Sequence, residues 1–364
     1  MSIFRRLYRG ETRINFIGSR KRWYAASALL ILICVLSFVF RGFNYGIEFK
    51  GGVKFQIPDP APGHISQSLA NTAFTNAGTV PADPPQIVGS GVDRSVVVQT
   101  KAISVATQQT LQANVAKSLK INQNKISVFS VSSSWGHDTT KNALEGLVLF
   151  LIAVTIYISL RFQWRMAIGG MVALVHDLIV AAGIYSLVGF EVTPSTIVGL
   201  LTILGFSLYD TVVVYDKVAE NAKDILAGSR TTYAEAANMA VNQTLMRSIN
   251  TSLIALLPVA GLLFVGAGLL GVGTIKDLAL ILFVGLASGA YSSLFLATPV
   301  VVDLTERDPA YQALTKRVIA KRASDAKRAA DAELTGVAPA STRRTGGPAP
   351  APRVGARPSR PRRR

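Results

Sequence analysis

Six long apolar runs alternate with polar connections along the chain, and this alternation predicts six membrane helices. The runs fall at 23–41, 141–160, 166–188, 196–218, 245–265 and 277–301. At about 1.5 Å of rise per residue, each is long enough to cross a hydrocarbon layer of about 30 Å. The first, Trp23 to Phe40, is eighteen consecutive uncharged residues closed by Arg41. A cleavable leader has a shorter apolar core and an Ala-x-Ala exit, so this run reads as an uncleaved anchor.

Between the first two runs the pattern changes. Residues 42–140 are polar and alternate in pattern, predicting a folded domain outside the membrane. Gly46 to Ile57 reads as a strand around the Gly51-Gly52 pair, and Ser66 to Ala77 has helical spacing. Gln86 to Val88 and Ser95 to Gln99 read as strands about a Gly89-Ser90-Gly91 turn. Val105 to Leu119 is an amphipathic helix, and Lys125 to Ser132 alternates again. The order β-α-β-β-α-β is the ferredoxin-like pattern. The expected fold is a mainly α membrane protein: a six-helix bundle with one ferredoxin-like α+β extracytoplasmic domain between helices 1 and 2.

Further along, 166–188 and 196–218 form an antiparallel hairpin across the short outer loop Phe190 to Pro194. Ala219 to Gln243 is charged and Ala-rich, suggesting a short helix lying on the membrane surface. Gly266 to Gly273 reads as an outer loop. A charged segment occupies 303–334, and 335–364 mixes Pro, Ala, Gly and Arg in a composition expected to be disordered.

Charge refines this picture. The 364 residues are 49% hydrophobic yet carry a formal charge of +17. Residues 1–22 hold seven Arg/Lys against Glu11, and 303–364 hold fifteen against six acids, so the two ends supply +6 and +9. Both termini are therefore expected in the cytoplasm, with membrane lipids and ribosomal RNA as secondary contacts and no specific nucleic acid. A single cysteine, Cys34, excludes an intrachain disulfide and a cysteine metal cluster. His64, His137 and His176 are scattered without ligand spacing, so no metal is expected.

The candidate chemistry lies within the bundle. Asp210 sits inside the fourth apolar run, about 12 Å from its cytoplasmic end. Inserting a central carboxylate costs about 2.5–3.5 kcal/mol, and such residues mark proton or ion pathways. The competing reading is a helix–helix hydrogen bond made by a protonated acid. Asp216 lies about 120° further round the helix and is followed by Lys217, which places it at the water interface. His176 and Asp177 on the third run and Arg247 on the fifth complete the intramembrane polar set; Asp177 is about 16 Å in. A guanidinium favours the charged form of a nearby carboxyl and low dielectric favours the neutral one, so movement of Arg247 against Asp210 would switch proton binding. Against this, Arg247 reads equally as an interface anchor and His176 as a partner for a backbone carbonyl. Gly169, Gly170, Gly199, Gly205, Gly261, Gly285, Ser288 and Gly289 read as close-packing positions.

Four stretches then combine: GFNYGIEFKGG over Gly42 to Gly52, ALVHDLIV over Ala173 to Val180, GFSLYDTVVVYDKVAEN over Gly205 to Asn221, and QTLMRSINTSL over Gln243 to Leu253. In order and spacing they resemble the SecF type of the SecD/SecF family of protein-export membrane proteins, in the resistance-nodulation-division superfamily. The resemblance covers about residues 15–305. It implies a six-helix half that pairs with a SecD-like subunit in the bacterial cytoplasmic (inner) membrane and serves the SecYEG channel, with YajC and YidC as further partners. It also implies that the proton-motive force drives preproteins outward, with protons as coupling ion and no other cofactor. Asp210 matches the family's proton-binding acid and Arg247 its basic partner. Gly46, Ile47, Glu48, Phe49, Gly51, Gly52, Asp216 and Asn221 fall on its motifs. Glu48 stands where the family commonly has Asp, and Tyr209 where it often has Asn.

Two alternatives share the buried acid. A lipid or drug exporter of the same superfamily usually has twelve helices and two large outer domains, against six and one here. An intramembrane aspartyl protease would use Asp177 and Asp210, but requires Gly-x-Gly-Asp on its second helix, and that sequence does not occur.

Overall fold

The computed structural model describes residues 14–59, 64–89, 91, 94–269 and 273–335. Six helices among these are long and apolar enough to cross a membrane. The first, α1 (Arg20–Phe40), ends where Arg41 and Gly42 both donate to the Ser37 carbonyl. The chain then makes the short strand β1 (Asn44–Tyr45) and a single helical turn, α2 (Ile47–Lys50).

That turn departs from the strand predicted from Gly46 onward. β2 (Gly52–Pro58) begins only after the glycine pair, because Gly51 and Gly52 have φ of 72° and 144°. A Cβ on Gly52 would stand 2.5 Å from the Thr100 carbonyl oxygen. Only glycine can convert the helical turn into the strand at this point.

The head continues with α3 (Gln67–Asn76), β3 (Gln86–Val88), β4 (Ser95–Thr100), α4 (Val105–Leu119) and β5 (Ser127–Val131). Its sheet runs β3-β4-β2-β5 with every neighbouring pair antiparallel, the ferredoxin-like topology. Phe55 stands opposite Val98 on one side and Val128 on the other. Its ring meets Phe74 of α3 edge-on at 5.2 Å. Ser66 and Ser104 cap the two helices by accepting from the Leu69 and Thr107 amides.

Where the pattern predicts a membrane helix from 141, α5 (Ser133–Arg161) starts within the head and enters the bundle without interruption. It is followed by α6 (Trp164–Val188), the short strand β6 (Glu191–Val192) and α7 (Pro194–Asn221). Pro194 opens α7 behind a Thr193/Thr196 capping box.

No separate surface helix precedes the fifth span. α8 (Tyr233–Ala260) is continuous, started by a Thr232/Glu235 capping box, and buries Ala236, Ala237, Ala240 and Val241 in the core. Wide π-type winding carries it on through Gly261–Leu269, so part of the predicted outer loop is helical; residues 270–272 of that loop lie outside the described residues. The sixth span consists of α9 (Gly273–Ser292), a second wide segment over Ser293–Ala297, and α10 (Thr298–Glu306). The charged segment after it is also helical, as α11 (Pro309–Thr335). Of the expected disordered tail and the basic N-terminus, 336–364 and 1–13 lie outside the described residues.

α6, α7 and α9 form the centre of the bundle, and α1 packs on α6. The α7–α9 seam is very close. Gly199 faces Ile281, Gly285 faces Ile203 and Gly289 faces Ser207, a four-residue repeat on both helices, and a Cβ on Gly285 would overlap Ile203. At the other end of the bundle from the head, Asn238 and Asn242 of α8 clamp the backbone before α1, accepting from the amides of Phe16 and Ile14 at 2.8 and 2.9 Å.

Candidate functional site

Two carboxyls are buried where α6, α7, α8 and α9 meet, Asp177 at 1% exposure and Asp210 at 7%. Asp177, on α6, accepts from Ser207 of α7 at 2.6 Å and from Ser288 and Ser292 of α9 at 2.7 Å each. His176 adds its Nδ1, 3.2 Å from Asp177 Oδ1. Asp210, on α7, accepts from Ser248 of α8 at 2.7 Å and from Ser293 at 2.6 Å.

Two membrane acids together cost about 5–7 kcal/mol to insert. Hydrogen bonds to a charged group return about 1.5–3 kcal/mol each. Five serine donors are therefore enough to hold both acids in place. The wide winding over Ser293–Ala297 begins at this pair, where Ser293 turns toward Asp210 and Ser292 toward Asp177. Such bulges concentrate at functional positions.

Arg247 is not joined to Asp210. Its Nη2 donates to the Tyr209 hydroxyl at 3.1 Å. Tyr209 is half-exposed, and adjacent residues on a helix diverge by about 100°, so Tyr209 turns outward while Asp210 turns into the bundle. The same divergence turns Ser248, next to Arg247, inward to Asp210. Asp216 lies at the head-distal end, 3.3 Å from Arg161 Nη2. Asn221, the last residue of α7, donates to Gln243 Oε1 at 3.0 Å and bonds the loop end of α7 to α8.

The glycine-pair motif is held to the bundle. β1 pairs in parallel with β6, Asn44 with Glu191 and Tyr45 with Val192, and the Gly46 amide donates to the Val192 carbonyl at 2.8 Å. A Cβ at Gly46 would meet the carboxyls of both Glu48 and Glu191, so glycine lets the two acids share this corner. Glu191, at 8% exposure, accepts from Gln99 Nε2 of β4 at 2.9 Å and faces Lys54 Nζ of β2 at 3.6 Å. The underside of the head sheet is thus anchored on the turn between α6 and α7. Ile47 is buried, and Phe49 stacks edge-on with Tyr45 at 6.4 Å.

The serines and Glu191 are the site residues that the apolar pattern does not single out. Ser288 and Ser292 stand four apart on one face of an otherwise apolar span, the spacing of a polar stripe turned inward. No group of three or more metal-ligating side chains occurs among the described residues.

Six membrane helices around two serine-held carboxyls, with a ferredoxin-like head fastened to the turn between the acid-bearing helices, define a multi-pass membrane protein of the resistance-nodulation-division type. Residues 110–307 match the family described as protein export membrane protein SecD/SecF, C-terminal, and residues 36–58 match the SecD/SecF GG motif. The chain belongs to the SecD/SecF family, on its SecF side. It is 46% identical to protein translocase subunit SecF of Streptomyces coelicolor, over 90% of this chain and 86% of that one. It is 43% identical to the SecF subunit of Mycobacterium tuberculosis, over 89% of this chain and 74% of the relative. The crystal structure of SecDF from Thermus thermophilus, described as a translocon-associated membrane protein, superposes with a TM-score of 0.71 at 32% identity. That match covers 82% of this chain and 39% of SecDF, so the chain spans about two fifths of it.

Proposed function

We propose that this chain is the SecF-type accessory subunit of the bacterial protein translocase, paired with a SecD-like half, and that it uses the proton gradient to draw preproteins across the cytoplasmic membrane. It is a transport subunit and not an enzyme. The observation that carries the reading is Asp210, a titratable group buried among membrane helices and held by hydroxyls from two neighbours.

Supporting the pairing, the apolar stretch of the fifth span is unburied within the chain, and Phe206 and Tyr209 of α7 and Leu253, Ile254 and Leu257 of α8 are exposed. An apolar membrane face this broad, beside Arg247, suits a second helical half. One relative, SecDF of Thermus thermophilus, carries both names in one chain. The basic ends orient both termini to the cytoplasm and the head outward. SecYEG, with YajC and YidC, is the machinery such a pair would serve.

In this mechanism Asp210 takes up a proton when open to the outside and releases it toward the cytoplasm. Arg247, parked on Tyr209, is the charge that moves toward or away from it. The serine donors turn with the wide segment of the sixth span, and the displaced helices pull on Glu191 and so on the head.

Asp210→Asn keeps the shape and removes the titratable proton. In vesicles holding this chain, its SecD-like partner and the channel, the variant is expected to assemble normally and to lose all stimulation of export by the proton gradient. Full stimulation would overturn the reading.

A further inference from the structure

His176 is 1% exposed, and its Nε2 has no hydrogen-bond partner in the protein, although Nδ1 sits on Asp177. His176 is among the residues that line a cleft of about 780 Å³ between α1, α5 and α6. The walls are largely apolar but carry the hydroxyls of Tyr24, Ser27, Thr155 and Ser159. These hydroxyls lead away from His176 toward the head-distal end. Ser27 Oγ and the Tyr291 hydroxyl are 3.1 Å apart, the Tyr291 ring lies 5.9 Å from the imidazole, and Tyr24 donates to Asp303 at 2.6 Å. Asp303 is in turn paired with Arg20 at 3.0 Å.

We propose that this cleft is the proton exit of the two-acid site and that His176 is its port. The inference rests on Asp210 as the proton carrier. A proton passed on to Asp177 transfers to His176 Nδ1, breaking the carboxyl O–H bond and forming an N–H bond. The resulting imidazolium releases the proton on Nε2 to water in the cleft, and the opposite tautomer remains until the ring resets. One positive charge enters at Asp177 and one leaves at the cleft. A volume of this size has room for a file of waters, each taking about 30 Å³ in the liquid. The titratable groups beside the imidazole are Asp177 on its own helix and Tyr291 from the sixth span, and Tyr24 of α1 lines the same cleft; from α5 the lining residues are Thr155 and Ser159.

The apolar walls would equally admit a lipid chain, and the test separates the two contents. In the full chain assembled with its SecD-like partner, Ser159→Cys is probed with a charged, membrane-impermeant thiol reagent and with a lipid-soluble one. Cys34 is buried and gives little background. The port predicts reaction with the charged reagent; reaction with the lipid-soluble one alone overturns it. In the export assay, His176→Gln retains a donor for Asp177 but cannot pass a proton through. It is expected to lower gradient-driven stimulation on the order of a hundredfold and flatten its pH profile, with normal partner co-purification. If Asp210→Asn is inactive while His176→Gln and His176→Phe keep the normal rate and pH profile, the port is excluded and the carrier role stands. If Asp210→Asn is fully active, both fall.

Discussion

Ser292 and Ser293 are neighbours in the chain, yet they donate to different buried acids, Ser292 to Asp177 at 2.7 Å and Ser293 to Asp210 at 2.6 Å. Ordinary α-helical winding sends adjacent side chains about 100° apart. Here the change to wider winding at Ser293 lets one turn of the sixth span serve both carboxyls. Any rotation of this turn alters the donors of the two acids together.

Replacing either serine by alanine leaves a buried carboxyl short of one donor, at a cost of about 1–3 kcal/mol. Thermal unfolding of the solubilised protein should register both losses. The double variant should depart from additivity by about 0.5 kcal/mol or more, because the two residues share one turn. Strict additivity would show that the acids are held independently.

Tyr209→Phe removes the acceptor that holds Arg247. The freed guanidinium is expected to change the pH dependence of export without changing expression. Arg247→Lys keeps the charge and should retain part of the activity, whereas Arg247→Ala should retain none. Equal loss in the Lys and Ala variants, read in the same assay, would instead assign the role to the forked geometry of the guanidinium.

Gly285→Ala places a methyl group into Ile203 across the α7–α9 seam and should destabilise by about 1–3 kcal/mol. Gly205→Ala, on the open side of α7, meets nothing within 4 Å. It should be neutral or stabilising by up to about 1 kcal/mol through helix propensity. Detergent melting curves of the pair separate seam packing from a general intolerance of larger residues.

At the head-distal end, Asp308 accepts from the Ala310 amide at 2.9 Å and from Arg165 at 2.5 Å, and these hold its carboxyl below the usual range, the amide first. A lowered value means that the charged form is the one the fold favours. The contribution to α11 docking is therefore complete above the ordinary aspartate range near about 3.9 and disappears as pH falls through the lowered value. Limited proteolysis of α11 across acid pH should show this step, and Asp308→Asn should remove its pH dependence.

The hydropathy pattern located all six spans, and alternation located the head strands, because both record which side of an element is buried. What it missed has physical causes. Serine in an apolar span looks like a packing residue, so Ser248 and Ser293 carried no signal until the acids they face were in place, and Ser292 only its four-residue spacing from Ser288. Ala-rich charged sequence suggested a surface helix before the fifth span, but its alanines are buried in the core and the helix is continuous from Tyr233. Arg247 has a side chain long enough to reach the depth of Asp210, and reach does not report the angle round each helix axis. The Gly51-Gly52 pair was visible as a motif, while the positive φ values that end the turn at Lys50 belong to its tertiary setting.

Glu191→Ala should detach the head from its footing. It removes the acceptor for Gln99 and the attraction for Lys54, whereas Glu191→Gln retains the first and loses the second. Hydrogen exchange at the Gly46 amide and along β4 should rise in the order wild type, Gln, Ala. An unchanged pattern in the Ala variant would mean that the β1–β6 pairing alone fixes the head.

The two-residue ribbon of β1 and β6 sits between the helix carrying Asp177 and the helix carrying Asp210 and is stitched to the glycine doublet. Its position is that of a tiller. A few degrees of tilt in either acid-bearing rod would be delivered to a strand end, where the length of the head would magnify it into ångströms of sweep. Leverage also runs backwards, so a load pulling on the head would strain the carboxyl sites from afar.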